Sequence, residues 1–387
     1  MLDRSDLGGA ARTANLAARA RKVADVAAAH ADAVDREARF PREAVDAMRA
    51  ERLLGIMIPT HLGGEGADFA EIAQLCATLG AACSAAGMVF AMHQIKVSSL
   101  VHHGLDSDWH RDFMQRLASG QLLLGSATTE AGIGGDLRNS ICSIVPDGAM
   151  VSIEKDATVI SYGLDADAIL ATARRAPDAA SSDQVMIVIE KAQAGLVQTS
   201  VWDTLGMRGT TSHGFKLSAK VPAAQVFPKP FAEIAAQSML ASSHLFWASL
   251  WFGIAGSALS KAQASVRAAA RRMPNAVPPG AARLAAAAAE LAALKTIVRD
   301  GIARFEAARH DEEAINAMAF AVAMNAVKVE ASRRSVAIVQ EALTIIGIQG
   351  YKNDNPFSVG RQLRDILSAP LMIANDRILA NTATMLL

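Results

Sequence analysis

The stretch LLLGSATTEAGIGGDLRNS, residues 122–140, marks the point where the chain changes from one kind of sequence to another. It begins with an apolar, strand-like run at 122–124, passes through Thr128, Thr129 and Glu130, and enters a turn carrying Gly132, Gly134 and Gly135 before Asp136. Hydroxyls and unencumbered backbone N–H groups at the end of a strand suit the rim of a flat heteroaromatic ring or a phosphate, because they give directed hydrogen bonds without side-chain bulk. Glycine spacing alone also describes an exposed turn, so the flanking sequence has to decide between the two.

Upstream, the hydrophobic period is helical. An alanine-rich pattern covers residues 11–51, with Phe40-Pro41 placing proline at a helix first turn. Pro59 and a glycine cluster break it, and helices follow at 70–79, 85–101 and 108–117. Downstream the period alternates: MVSIEKDATVIS, ADAILATARR, DQVMIVIEK and GFKLSAKVP read as strands separated by Gly, Asp, Ser and Pro. After Pro230 the chain is helical again, over 232–272, 281–309, 312–346 and 358–387, the first two separated by MPNAVPPG. The fold class is therefore α+β and mostly α. It comprises an N-terminal helical domain (1–120), a small middle β-barrel or sandwich domain (121–229) and a C-terminal four-helix bundle (230–387). Residues 239–259, MLASSHLFWASLWFGIAGSAL, are long enough to span a bilayer. Their serines, His244 and the lack of charged anchors favour a helix buried on all sides.

With 387 residues and 51% hydrophobic content, the chain can bury a large core. Lysine plus arginine balances aspartate plus glutamate at 38 each, so no overall field favours nucleic acid or an anionic membrane. Cys76, Cys83 and Cys142 are odd in number and lack metal-ligand spacing, which predicts buried thiols in a reducing, cytoplasmic setting, with no disulfide and no metal. The N-terminus carries aspartates and has no apolar core of the secretory type.

Three segments together resemble the acyl-CoA dehydrogenase family. Thr129, Glu130, Gly134 and Asp136 fall in register with its Thr-Glu-Pro-x-Ala-Gly-Ser-Asp motif, although Ala131, Ile133 and Gly135 depart from it. FPREAVDAMRAERLLGIMIPTHLGGEG, residues 40–66, has the spacing of the family's opening. TLGMRGTTSHGFKLSAKVPAAQVF resembles its Gly-x-Arg-Gly-Ser segment, in which Arg208 reads equally as a cap on backbone carbonyls or as a functional cation. The order helical domain, β domain, bundle is that family's architecture, and the likeness covers nearly the whole chain.

The resemblance implies FAD bound between the β domain and the bundle, and an acyl thioester between its ring and the bundle helices. A carboxylate would remove the α-proton as the β-hydride leaves. By position, Ser126, Thr128, Thr129, Gly134, Gly135, Val159, Ser161, Arg271, Arg272 and Asn375 correspond to cofactor contacts, and Gly135, Ser243, His244, Ile373 and Ala374 to substrate contacts. Val159-Ile160-Ser161 replaces a tryptophan-isoleucine-threonine triplet. Arg271 and Arg272 lie within two or three residues of an arginine that reaches a neighbouring subunit's pyrophosphate. Thr344, Gly347 and Ile348 replace a glutamine and paired glycines.

The same correspondence leaves the base missing. Arg364-Asp365 follow GYKNDNPFSVGRQL, and counting forward puts Ile373 at the family's glutamate, Ala374 at its glycine and Asn375 at its threonine. The alternative glutamate-arginine site on the first bundle helix is Ser243-His244. Asp376 and His244 become the candidate bases, ahead of His93. Each also has an ordinary reading, Asp376 as a charge pair with Arg377 and the histidines as satisfied core residues. Three functions follow: α,β-dehydrogenation of an acyl-CoA or acyl-carrier-protein thioester with a different base, other flavin chemistry such as a monooxygenase or desulfinase, or a non-catalytic assembly role. The alanine-rich bundle resembles that of a family whose cofactor site is completed across an interface, and this resemblance implies a homodimer or homotetramer, with an unidentified electron acceptor for a dehydrogenase.

Overall fold

The computed structural model describes residues 4–133, 136–273 and 275–387. Helices α1 (Arg4–Glu37), α2 (Arg42–Ala50), α3 (Phe69–Ala82), α4 (Ser84–His103) and α5 (Asp108–Gly120) form the first layer. Pro41 stands at the N-cap of α2, one residue before the first turn expected for it. Asp68 and Glu71 start α3 with reciprocal bonds of 2.8 and 3.0 Å, which satisfy two N–H groups that a helix start leaves open.

The β domain has two sheets. In one, β1 (Leu124–Ala127) runs parallel to β4 (Ala168–Arg174), which pairs antiparallel with β5 (Gln184–Glu190). The other is antiparallel, in the order β2 (Ile144–Asp147), β3 (Met150–Ile160), β7 (His213–Pro222) and β6 (Ala194–Ser200). The four alternating runs are β3, β4, β5 and β7. β1 starts two residues later than the apolar run suggested. β2 and β6 carry no alternation, being edge strands exposed along most of their length.

In the bundle, α6 (Phe231–Ile234) passes through a π turn at Ala235–Met239 into α7 (Leu240–Arg272), followed by α8 (Ala281–Ala308). α7 is apolar all round because neighbouring helices bury it from Ala241 to Leu250; among the described residues no helix is long and apolar enough to cross a membrane. Gly253 lets α3 approach closely, since a Cβ there would lie 2.0 Å from the Ala77 oxygen.

Two of the four long helices expected in the bundle are interrupted. The 312–346 segment breaks at Ala317, extended at ψ 136°, between α9 (Glu312–Asn316) and α10 (Met318–Ile346). Beyond α11 (Ile348–Tyr351), the 358–387 segment divides into α12 (Gly360–Ile366) and α13 (Asn375–Leu386). Pro370 accounts for this second break, because proline removes a helical N–H and disfavours helical backbone at the residue before it. The intervening turn holds Ile373 at φ 45°, a conformation rare for a β-branched residue.

The layers meet at the turn after β6. The Met207 N–H donates to Asp365 Oδ1 at 2.7 Å, Gly206 lies against the Arg364 backbone, and Gly209 lies against Val34 and Ala85. Arg364 pairs with Asp35, and Arg361 with Asp32 at 3.1 Å. A Cβ on Gly206 would lie 2.2 Å from the Arg364 oxygen, whereas one on Gly256 would find its nearest neighbour at 3.9 Å. Gly206→Ala is expected to cost about 1–3 kcal/mol by separating these layers. Gly256→Ala should be neutral or gain up to about 1 kcal/mol of helix propensity. Urea unfolding of the two variants checks the contrast.

Candidate active site

The rim residues come together. Thr129 Oγ1 donates to the Val159 carbonyl at 3.2 Å, which ties the end of β1 to the end of β3. Ser161 Oγ lies 2.8 Å from Ser212 Oγ, itself 2.8 Å from Thr210 Oγ1, so a chain of hydroxyls continues the rim. Ser126, Thr128, Thr129, Val159 and Ser161 are half-buried. Gly134 and Gly135 lie outside the described residues. Glu130 serves the structure of the β domain, accepting from Ser140 Oγ, Ile141 N and Cys142 N at 2.6–3.0 Å and from buried Lys155 at 3.2 Å. Burial opposes its charge, but Lys155 and these donors outweigh that and hold its pKa below the ordinary range.

His93 is occupied at both nitrogens. The Leu124 N–H donates to Nδ1 at 3.0 Å, so Nε2 carries the proton and donates to the Leu54 carbonyl at 2.8 Å. It pins β1 to the helical layer, and burial pushes its pKa down to about 4.

His244 is different. Thr382 gives its proton to the Ile378 carbonyl and accepts from Asn325 Nδ2 at 2.9 Å, which turns Asn325 Oδ1 toward His244 Nε2 at 3.3 Å. Nε2 is therefore protonated, and Nδ1 keeps an unpartnered, buried lone pair. Burial, reinforced by the Lys328 charge, lowers the pKa to about 4, so the ring is neutral at physiological pH. Neighbouring Ser243 donates to the Met239 carbonyl at 2.6 Å.

The 367–374 turn is held by Lys328, fully buried on α10. Its Nζ donates to the carbonyls of Ala369 and Ile373, at 3.2 and 2.8 Å, and to Asn375 Oδ1 at 2.7 Å. The Asn375 amide is spent on Lys328 and Ser332, while Ala374 and Asp376 are exposed, Asp376 in the first turn of α13. Arg271 and Arg272 are exposed at the far end of α7, 28 residues beyond Ser243 or roughly 40 Å along the axis. Lys328, Asn325 and Lys96, a buried lysine of α4 whose Nζ meets only Met239 Sδ at 3.6 Å, were not candidates from sequence. A lysine within the apolar run AFAVAMNAVKVEAS was the signal available for the first.

Family models for the acyl-CoA dehydrogenase N-terminal domain and C-terminal domain match residues 12–121 and 245–375, together more than half the chain. The chain belongs to the acyl-CoA dehydrogenase family. Cyclohex-1-ene-1-carbonyl-CoA dehydrogenase of Geobacter metallireducens is 26% identical over 89% of this chain and 89% of its own length. "Probable acyl-CoA dehydrogenase YngJ" of Bacillus subtilis is 26% identical over about half of each, 52% of this chain and 54% of that protein. FMN-bound TdsC from Paenibacillus sp. A11-2 superposes with a TM-score of 0.83 at 21% identity, covering 96% of this chain and 97% of that one, a likeness of fold.

The residues of this acyl-CoA dehydrogenase-fold chain fit a flavin. The hydroxyl rim suits the edge of its ring, and the Arg208 Nε, buried without a partner on the turn leading to Ser212, is a donor awaiting an acceptor. Among the described residues no group of three or more His, Cys, Asp or Glu could hold a metal. Glu130→Gln is expected to destabilise the protein by about 3 kcal/mol, because it strands the Lys155 charge. A depressed carboxylate pKa stabilises above the unfolded-state value and loses that contribution as pH falls through the folded value. The wild-type advantage should therefore shrink below pH ~4, measured by urea unfolding at pH 7 and pH 3.

Proposed function

We propose that this chain is an FAD-dependent oxidoreductase that takes the α-proton of an acyl thioester onto His244 Nδ1. The observation that carries this reading is the free lone pair on a buried imidazole whose tautomer is fixed by Asn325 and Thr382. A base needs an unshared pair held in a dry site, and orientation by a second residue keeps the pair aimed. At a pKa near 4 the imidazole is about as basic as an ordinary carboxylate and is unprotonated at neutral pH, so it can stand in for the glutamate that Ile373 replaces. The flavin, when bound, supplies the acceptor for the β-hydride. Lys328, which pairs with no carboxylate among the described residues, places positive charge beside the site, which favours negative charge developing on the thioester oxygen.

One observation supports a second reading. Asp376 is exposed and Ile373 cannot take a proton, so a reaction without α-proton removal, as in a monooxygenase, would also suit this turn. Stopped-flow bleaching of the flavin by an acyl-CoA panel separates the two. His244→Ala is expected to slow bleaching about 10²-fold or more, and Ile373→Glu to restore part of the rate. Bleaching of His244→Ala at the wild-type rate, or a wild type that no acyl-CoA reduces, overturns the dehydrogenase reading.

The cofactor site is further proposed to be completed across a homodimer or a tetramer of dimers, because Arg271 and Arg272 are exposed at the end of α7, within two or three residues of the place where the family carries an arginine that reaches a neighbouring subunit's pyrophosphate. Replacing both with alanine should weaken flavin retention on gel filtration while circular dichroism stays unchanged. Full retention, or a monomer by light scattering, counts against the shared site.

A further inference from the structure

A trough of about 1270 Å³ runs between α3, α7 and α8. Its floor is made of small residues, Ala73 and Ala77 of α3 with Gly253, Gly256 and Ser257 of α7, so the helices beneath it pack closely and the space above them stays open. Gly256 shows the opening directly, since a Cβ there would meet Leu291 Cδ2 at 3.9 Å and nothing nearer. The walls are apolar: Phe252, Leu291, Val298, Ile302 and Phe357. Gly253 stands nine residues after His244, and Ser260 nine after Trp251, which is about 180° around the helix. The trough is therefore on the face of α7 opposite to the one that carries His244.

Three cations line it, Lys261, Lys295 and Arg299, against one carboxylate, Glu306. Glu306 is already occupied, accepting from the Phe69 N–H at 2.8 Å and facing Arg309 at 3.3 Å. Lys261 donates to the Ser358 carbonyl and to Gln362. Lys295 and Arg299 are exposed one turn apart on α8, and among the described residues no acceptor meets either. In a chain of zero formal charge, an unanswered pair of cations beside apolar walls is complementary to an anion with an alkyl body. The contacts also set its direction and length. Leu291 lies beside Gly256 and Gly301 beside Leu245, so α8 runs antiparallel to α7 and places Lys295 and Arg299 toward the Ser249 end. From Ser249 to Ala264, the first and last α7 residues of the lining, the helix rises about 22 Å. An extended chain of roughly 16–18 carbons has that length, at about 1.3 Å of advance per bond.

We propose that this trough binds a free long-chain fatty carboxylate, with its head between Lys295 and Arg299 and its chain lying over Gly253, Gly256 and Ser260 toward Phe357. Binding here does not depend on the reaction assigned to His244, so the two stand or fall on separate measurements.

The test is calorimetric titration of the holoprotein with hexadecanoate, octanoate and hexadecyltrimethylammonium, each below its aggregation limit, for wild type, Gly256→Leu and a Lys295→Ala/Arg299→Ala double variant. Gly256→Leu fills the trough from its floor, and the double variant removes the cations. Wild type is expected to bind hexadecanoate about 100-fold or more tightly than octanoate, because the shorter chain leaves most of the apolar wall uncovered. The cationic amphiphile of the same chain length should bind at least about tenfold more weakly than hexadecanoate. Each variant should weaken hexadecanoate about tenfold or more, with circular dichroism and subunit number unchanged. No binding by wild type, equal binding of the cationic amphiphile, or full affinity in either variant overturns the proposal. A changed subunit number by light scattering in either variant also overturns it, since the trough is then covered by a second copy of the chain.

Discussion

The hydrogen bond from the Met207 amide to the Asp365 carboxylate is the contact on which the arrangement of the three layers depends. It sits where the β domain touches α12, and the same turn presses Gly209 onto α1 and α4. Asp365 is almost fully buried, and burial raises its pKa; the Met207 amide and the nearby Arg361 charge oppose that shift. Removing either glycine's freedom or the carboxylate would shift the hydroxyl rim relative to the bundle, and a site built from both would lose its geometry. A site formed between these layers depends on their packing more than on any loop.

The bundle solves a second problem, how to hold a turn that proline forbids from being helical. Lys328 supplies three donors to it, fixing Ile373 in the left-handed region and Asn375 at the start of α13. Among the described residues no carboxylate pairs with the lysine, and burial lowers its pKa to about 8. A cation kept dry for structural reasons thereby also acts on His244, which its charge helps to keep neutral.

Much of the fold was legible because its signals were local. β3 and β7 alternate, β4 and β5 are continuous apolar runs buried on both faces, the helices follow the 3.6-residue period, and the glycine turns announce themselves. The edge strands β2 and β6 were not legible, since an exposed strand has no apolar face to reveal it. Nor were the breaks at Ala317 and in the 367–374 turn, where tertiary contacts override an alanine-rich helical pattern. At the site, the rim residues Thr129, Val159 and Ser161 could be placed together in advance, and His244 could be nominated. Its free lone pair could not, because that depends on Asn325 and Thr382, 81 and 138 residues further along the chain. The structural roles of Glu130, His93 and Asn375 were hidden for the same reason: what saturates a polar group is set by partners that sequence spacing does not show.

The π turn at Ala235–Met239 has a consequence for how this chain can change over time. A π turn accommodates one residue more than an α-helical turn of the same span. Deleting a residue there would convert the segment to ordinary helix and leave the facing of α7 beyond Leu240 untouched, whereas the same deletion between His244 and Trp251 would rotate one of these two residues away from α10 by about 100°. The bulge is thus a length buffer between the β domain and the bundle, the place where the linker can lose a residue without re-aiming the helix that follows it.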